Sequence, residues 1–255
     1  MNLFFIFSLL IIIALVVFLL VHFFLNEKFG DTNLIFDAYY INLKRRPDKN
    51  SQTLIELEKS NILKNKMKRF NAIDGNDINL TEYASKELPM RKLLKRKGWI
   101  GCALSHIELW KKCVQNNVPM LIFEDDNVIK KDLFDKHLNI VFNNFPKDFD
   151  IVYLVTDNIV KYKPFNDLFV KATSHNSILS AYIVSPKGAR ALIENIVPFK
   201  PTLQVDWYID RLTRKEIIHS YIYRKNIMYT IQDFNTTDIQ GKVNYVKKFE
   251  KEYFS

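Results

Sequence analysis

Two cysteines among 255 residues are too few to staple a small fold or to build a cysteine-rich zinc module. Cys102 and Cys113 fall on one stretch of helical patterning, which sets them about 16 Å apart, beyond disulfide reach, so both are expected to be free thiols. Six glycines and eight prolines exclude collagen-like and low-complexity architectures. The five histidines, at 22, 106, 137, 175 and 219, have no paired spacing, which argues against zinc. No internal repeat is visible. Disorder is excluded by what is present, since 14% of the residues are aromatic.

Charge is also missing, from one place. No Asp, Glu, Lys or Arg precedes Glu27, and Leu3 to Leu25 is apolar except for Ser8 and His22. A helix of that length spans about 34 Å, against a hydrocarbon core of about 30 Å. A cleaved secretory signal fits less well: the run exceeds an h-region, no basic n-region precedes it and no A-x-A site follows. The expected organisation is a transmembrane signal anchor over 1–25, a linker over 26–36 and one domain over 37–255. About 220 residues suffice for a single α/β core. All the side-chain charge, formally +9, lies after Asn26. Basic excess suits nucleic acid, anionic lipid or a phosphorylated substrate, or is an ordinary lysine-rich surface; charge alone does not decide.

The domain alternates strand-like and helix-like segments. Ala38 to Leu43 reads as a buried strand, followed by a helix opening at Pro47-Asp48 with an apolar stripe of Leu54, Leu57 and Ile62. Met67 to Ala72 is a second strand. Residues 76–97 are polar and end in a basic cluster of Arg91, Lys92, Lys95, Arg96 and Lys97. A helix is expected from about Gly101, then strands over Val118–Phe123, Asp150–Val155 and Leu179–Val184. Helices follow from Pro186 and over Val205–Leu212, with one strand over Ile217–Ile231. Such alternation predicts a largely parallel α/β sheet.

Four segments carry chemistry. Met120 to Phe123 runs straight into Glu124-Asp125-Asp126. Three carboxylates at the carboxyl end of a buried strand repel one another, and open α/β sheets bind ligands there. A divalent cation would neutralise them, and hard oxygen ligands favour Mn²⁺ or Mg²⁺. Glu124 and Asp126, two apart, would share a face. Alternatively the triplet is a solvated turn capping the next helix. Gly98 to His106 sets two glycines at a helix start, where backbone can approach a ligand and phosphate can bind, although no P-loop Gly-Lys-Ser/Thr follows. His106 by itself reads first as a hydrogen-bonded core residue and only second as a ligand contact. Arg46, in a basic turn after the first strand, is placed to clamp phosphate or to be solvated. Asp206-Trp207 sets a carboxylate beside an aromatic that could stack on a sugar, or is a first-turn helix acid beside a core ring.

Together these segments resemble glycosyltransferase family 25, the lipooligosaccharide and procollagen galactosyltransferase-like family. The resemblance runs from Tyr40-Ile41-Asn42-Leu43-Lys44-Arg45-Arg46-Pro47-Asp48 through Arg69–Gly75, Gly98–His106, Phe123–Asp126, Ser180–Ala189 and Val205–Trp207, in order, to a weaker match at Gln232 and Asp238-Ile239. Trp99 and Val155-Thr156 depart from its usual pattern. The resemblance implies a GT-A-like, Rossmann-type fold and a UDP-sugar donor. Galactose or glucose would pass to a glycan, lipid-linked or protein hydroxyl. It places metal on Glu124, Asp125 and Asp126, and the donor against Asn42, Arg46, Asp74, Gly101, Ser105 and His106. It makes Asp206 the catalytic base, with Asp238 as the rival. An inactive sugar- or nucleotide-binding protein of the same fold is the alternative, and no nucleic-acid partner is expected. Lys28, Lys44, Arg45 and Arg46 lean towards a cytoplasmic domain; the sequons Asn79-Leu80-Thr81 and Asn235-Thr236-Thr237 lean the other way. By analogy with type II transferases, a single-pass protein with a lumenal domain is expected.

Overall fold

The computed structural model describes residues 14–17, 34–157, 160–174, 178–233 and 246–249. The chain divides into two units, Met1–Leu34 and Ile35–Ser255. In the first, residues 14–17 are helical and exposed. The rest of the anchor expected over 1–25 lies outside the described residues. Among the described residues no helix is long and apolar enough to cross a membrane.

The second unit opens with β1 (Asp37–Asn42), α1 (Pro47–Leu57), α2 (Leu63–Lys66) and β2 (Met67–Asn71). A short 3₁₀ turn (Leu80–Tyr83) precedes α3 (Met90–Leu94) and the long α4 (Lys97–Asn116). Then come β3 (Met120–Glu124), β4 (Asn127–Ile129), α5 (Lys131–Asn143), β5 (Ile151–Tyr153), β6 (Tyr162–Pro164), β7 (Phe169–Ala172) and β8 (Ala181–Val184). The unit continues with α6 (Pro186–Ile196), α7 (Val205–Arg214), β9 (Ser220–Tyr223), β10 (Met228–Asp233) and β11 (Val246–Phe249). Eight strands form one sheet in the order β2-β1-β3-β8-β5-β9-β7-β6, and β11-β10-β4 form a small second sheet. The pairings give six of the eight strands one direction, with β8 and β7 reversed, so the α/β sheet is mostly parallel.

Both faces of the central strands are buried, which is why β3 reads as a continuous apolar run. The period of two sorts its side chains. Met120 and Ile122 join the core formed with α4, α6 and α7, through Ile107, Trp110, Leu192 and Ile209. Phe123 turns to the other face and meets the ring of Phe134 from α5 edge-on. Glu124 has the parity of Ile122, so it continues onto the α4 side. Tyr182 stands opposite Ile122 across the β3–β8 ladder and faces the same way. Two registers thus bring the acidic strand end and a tyrosine under one helix.

Three local expectations change. Helix α4 starts at Lys97, four residues before Gly101, so Gly101 lies inside the helix. A Cβ there would sit 2.4 Å from the Ile73 carbonyl oxygen, and one on Gly75 would sit 2.0 Å from the Lys97 carbonyl oxygen. These glycines let helix and turn cross backbone to backbone. Gly101→Ala is expected to cost about 1–3 kcal/mol, read as a lowered midpoint in urea; an unchanged midpoint would count against the crossing. In α1 the buried side chains are Thr53, Glu56 and Leu57, while Leu54 is exposed and Ile62 lies past the end. Glu56 fills that face because its carboxylate accepts the Ile129 amide at 2.8 Å and meets Lys59 at 2.6 Å. The single strand expected over Ile217–Ile231 is two, β9 and β10, in different sheets. The polar Arg224-Lys225-Asn226 stretch separates them.

Candidate active site

The acidic triplet lies where β3 ends and the chain turns into β4. Each carboxylate meets a different environment. Asp125 is held by the Asn42 amide at 2.6 Å and by Lys49 Nζ at 3.4 Å. Asn42 is fixed in turn by Arg69, which donates to its carbonyl oxygen at 2.6 Å. Burial raises the pKa of Asp125, with Lys49 opposing. Burial would lower Lys49, but the charges of Asp125 and Asp126 outweigh it and leave Lys49 raised.

Asp126 is less well met: its Oδ1 is buried and makes no hydrogen bond. It shares the turn with Asn127, whose Oδ1 is likewise buried without a partner. Burial and then the charge of Glu124 push the pKa of Asp126 up, with Lys49 opposing. Glu124 Oε1 faces His106 Nε2 at 3.4 Å and Cys102 Sγ at 3.8 Å, and these three ligand atoms lie within 4.8 Å of one another. Cys102 is held well above the usual thiol range by burial, then by Glu124 and Asp206. It therefore stays a neutral thiol.

Asp206 reaches this centre from 80 residues further along the chain. It sits in the first turn of α7, where its Oδ1 accepts the Trp207 amide at 2.9 Å. Burial pushes its pKa up to about 7, the Trp207 amide opposing and the Glu124 charge adding. A carboxyl that titrates near neutrality beside a cluster of acids is suited to accepting a proton. Trp207 is 43% exposed next to it.

The other sequence-derived candidates are placed differently. His106 and Ser105 are closed to solvent, and Asn42 almost so. Ser105 Oγ donates to the Gly101 carbonyl at 2.7 Å and accepts the Ile73 amide at 2.9 Å, so with Gly101 it belongs to the helix crossing and not to a ligand surface. Asp74 accepts from Arg45 at 2.5 Å and from the Asn76 amide at 2.9 Å, closing its own turn. The Arg46 guanidinium pairs with Asp48, at 2.7 Å, so a phosphate would have to compete for it. Asp238 lies outside the described residues. Lys49, Tyr182 and Trp110 reach the centre without having been singled out. Trp110 and Tyr182 look like core aromatics in sequence, and only the register shows where their polar tips end.

Carboxylates gathered at the end of a mostly parallel sheet, one with an orphaned oxygen, suit a transferase, and comparison with known proteins supplies the family. A sequence model described as Glycosyltransferase family 25 (LPS biosynthesis protein) matches residues 36–212. The chain belongs to glycosyltransferase family 25. Procollagen galactosyltransferase 2 of Homo sapiens is 23% identical over 209 residues, covering 76% of this chain and 33% of its own length. The procollagen lysyl hydroxylase and glycosyltransferase of Acanthamoeba polyphaga mimivirus is 32% identical over 195 residues, covering 65% of this chain and 21% of its own. A Rattus norvegicus protein named probable inactive glycosyltransferase 25 family member 3 is 25% identical over 189 residues, covering 68% and 32%. The chain spans about a third of the length of the curated relatives it matches. All the carboxylates described above lie within the family match.

Proposed function

We propose that this family 25 chain transfers a hexose, galactose or glucose, from a UDP-sugar to a hydroxyl of a glycan, lipid-linked or protein acceptor, on a GT-A-like scaffold. The observation that carries the reading is the buried Oδ1 of Asp126, without a partner beside the charge of Glu124. An arrangement this unfavourable in the bare protein fits a cation site, and its oxygen donors suit Mn²⁺ or Mg²⁺. Glu124 and Asp126 would hold the ion, with Asp125 already met by Asn42 and Lys49. Such an ion supplies charge neutralisation to a departing diphosphate. Asp206 takes the proton of the acceptor hydroxyl, as an inverting transfer requires. Trp207 offers its exposed face to the acceptor sugar. The names of the relatives support galactosyl transfer as the first chemistry to try.

A screen of nucleotide sugars by thermal unfolding, with and without Mn²⁺, tests the reading. A donor at a hundred times its Kd stabilises by about 2.7 kcal/mol, a shift of several degrees. UDP-galactose or UDP-glucose is expected to protect only with Mn²⁺ present; protection by no nucleotide sugar would overturn the proposal. Protection with no UDP release in the presence of acceptors would favour the inactive binding protein, the state that the rat relative's name gives to that protein. Trp207→Ala is expected to raise the acceptor KM about three- to tenfold, the scale of one aromatic stacking contact, with donor protection unchanged. A raised donor requirement instead would move Trp207 to the nucleotide side. We further propose that the apolar run ending at Leu25 anchors the domain on the lumenal side of a membrane. Digestion of the domain by protease in sealed microsomes, without detergent, would refute the lumenal assignment.

A further inference from the structure

We propose that Trp110, Tyr182 and His106 form a buried, directionally ordered hydrogen-bond chain that fixes the Glu124 carboxylate, which makes His106 a positioning residue of the acidic centre and not a contact for the sugar donor. The inference deepens the cation reading of that centre and rests on it.

All three side chains are completely closed to solvent. The indole Nε1–H of Trp110 can only donate, and it donates to the Tyr182 hydroxyl oxygen at 2.9 Å. Tyr182 then has one proton to place. Its second contact is His106 Nδ1, at 2.8 Å, and among the described residues it has no other. A protonated Nδ1 would point a second donor at the same oxygen and leave the tyrosine proton buried without an acceptor, a cost of about 1–3 kcal/mol. The hydroxyl therefore donates to Nδ1, and the neutral imidazole carries its proton on Nε2. That Nε2–H faces Glu124 Oε1 at 3.4 Å. The chain runs one way, from Trp110 through Tyr182 and His106 to Glu124, and every proton in it is used.

Two consequences follow for the group of Cys102, His106 and Glu124, whose ligand atoms lie within 4.8 Å of one another. His106 presents a donor there, so it has no lone pair for a cation. The Cys102 thiol is the second donor to Oε1, at 3.8 Å. Both therefore grip one oxygen of Glu124, and Oε2 makes no hydrogen bond to the described residues. The grip on Oε1 leaves Oε2 as the Glu124 oxygen open to a cation, beside the charge of Asp126. Partners of ligating side chains of this kind are worth about 10–100-fold in metal affinity.

The experiment uses the full chain and Mn²⁺ alone as the probe. Imidazole ¹⁵N spectra of the metal-free protein are expected to show His106 as the Nε2–H tautomer, and Tyr182→Phe is expected to abolish that bias. In Mn²⁺ titrations followed by paramagnetic resonance, Tyr182→Phe and His106→Leu are expected to bind about 10–100-fold more weakly, while His106→Gln, which keeps an N–H in reach of Glu124, recovers most of the loss. An Nδ1–H tautomer in the wild-type chain overturns the proposal. So does wild-type Mn²⁺ affinity in His106→Leu with cooperative unfolding retained. Failure of the wild-type chain to bind Mn²⁺ would instead sink the cation reading, and the spectra would still decide the direction of the chain. Should Tyr182→Phe fail to fold, the wild-type spectra and the contrast between Leu and Gln at His106 carry the test.

Discussion

Asp206→Asn is expected to cut turnover by about 10²–10⁴-fold while donor protection in the thermal screen stays near that of the wild type. The substitution keeps the side-chain shape and the oxygen that accepts the Trp207 amide, and it removes the basic site. A general base works best when its pKa lies near the working pH, and burial with the neighbouring Glu124 charge brings Asp206 to about 7. An ordinary first-turn helix carboxylate would lose only a few tenths of a kcal/mol of dipole interaction and no turnover. If turnover survives in Asp206→Asn and disappears in Asp238→Asn, the rival carboxylate is the base. Loss of donor protection together with turnover would make Asp206 part of the donor site.

What could be read from the sequence follows from the range of the interactions involved. The acidic triplet was legible because a buried strand and its end are local features: an apolar run stops and charge begins. The opening of α1 at Pro47 and of α6 at Pro186 is local in the same sense. Gly101 shows the limit. A glycine's purpose depends on what stands opposite its missing Cβ, and the Ile73 carbonyl comes from a turn 28 residues earlier in the chain. Leu54 reads as inward by hydrophobicity alone, yet Glu56 takes the buried face because β4 offers it an amide. Lys49 gave no signal in sequence, since its partner Asp125 is 76 residues away. Tyr182 and Trp110 are core aromatics by composition, and only the β3–β8 register brings the Tyr182 hydroxyl under α4, where it meets both His106 and the Trp110 indole. The convergence of Asp206 on Glu124 rested on family resemblance, because no periodicity links residues so far apart.

Asp126→Asn is expected to stabilise the metal-free protein while removing its Mn²⁺ response, and the stabilisation is expected to grow with pH. The sign follows from proton linkage. Asp125, Asp126 and Asp206 all have folded pKa values raised above the unfolded value of 3.8, so the folded state holds protons that the unfolded chain has released. Stability therefore falls as pH rises from about 4 to about 7, and the penalty is complete above that range. Asp74 and Asp148 have lowered values and act only below the unfolded value, outside the window. His137, lowered by burial and then by Lys136 and Lys225, acts in the opposite sense up to about 6.5, so the measured quantity should be the difference between variant and wild type. That difference is expected to be small at pH 5 and on the order of 2 kcal/mol at pH 8, or about 5 °C in Tm. Saturating Mn²⁺ is expected to raise the wild-type Tm and close the gap, because the ion neutralises the charge that the substitution deletes, and to leave Asp126→Asn almost unmoved. A variant less stable than the wild type at pH 8 without metal would show that Asp126 is satisfied in the folded protein. The orphaned oxygen would then no longer point to a cation.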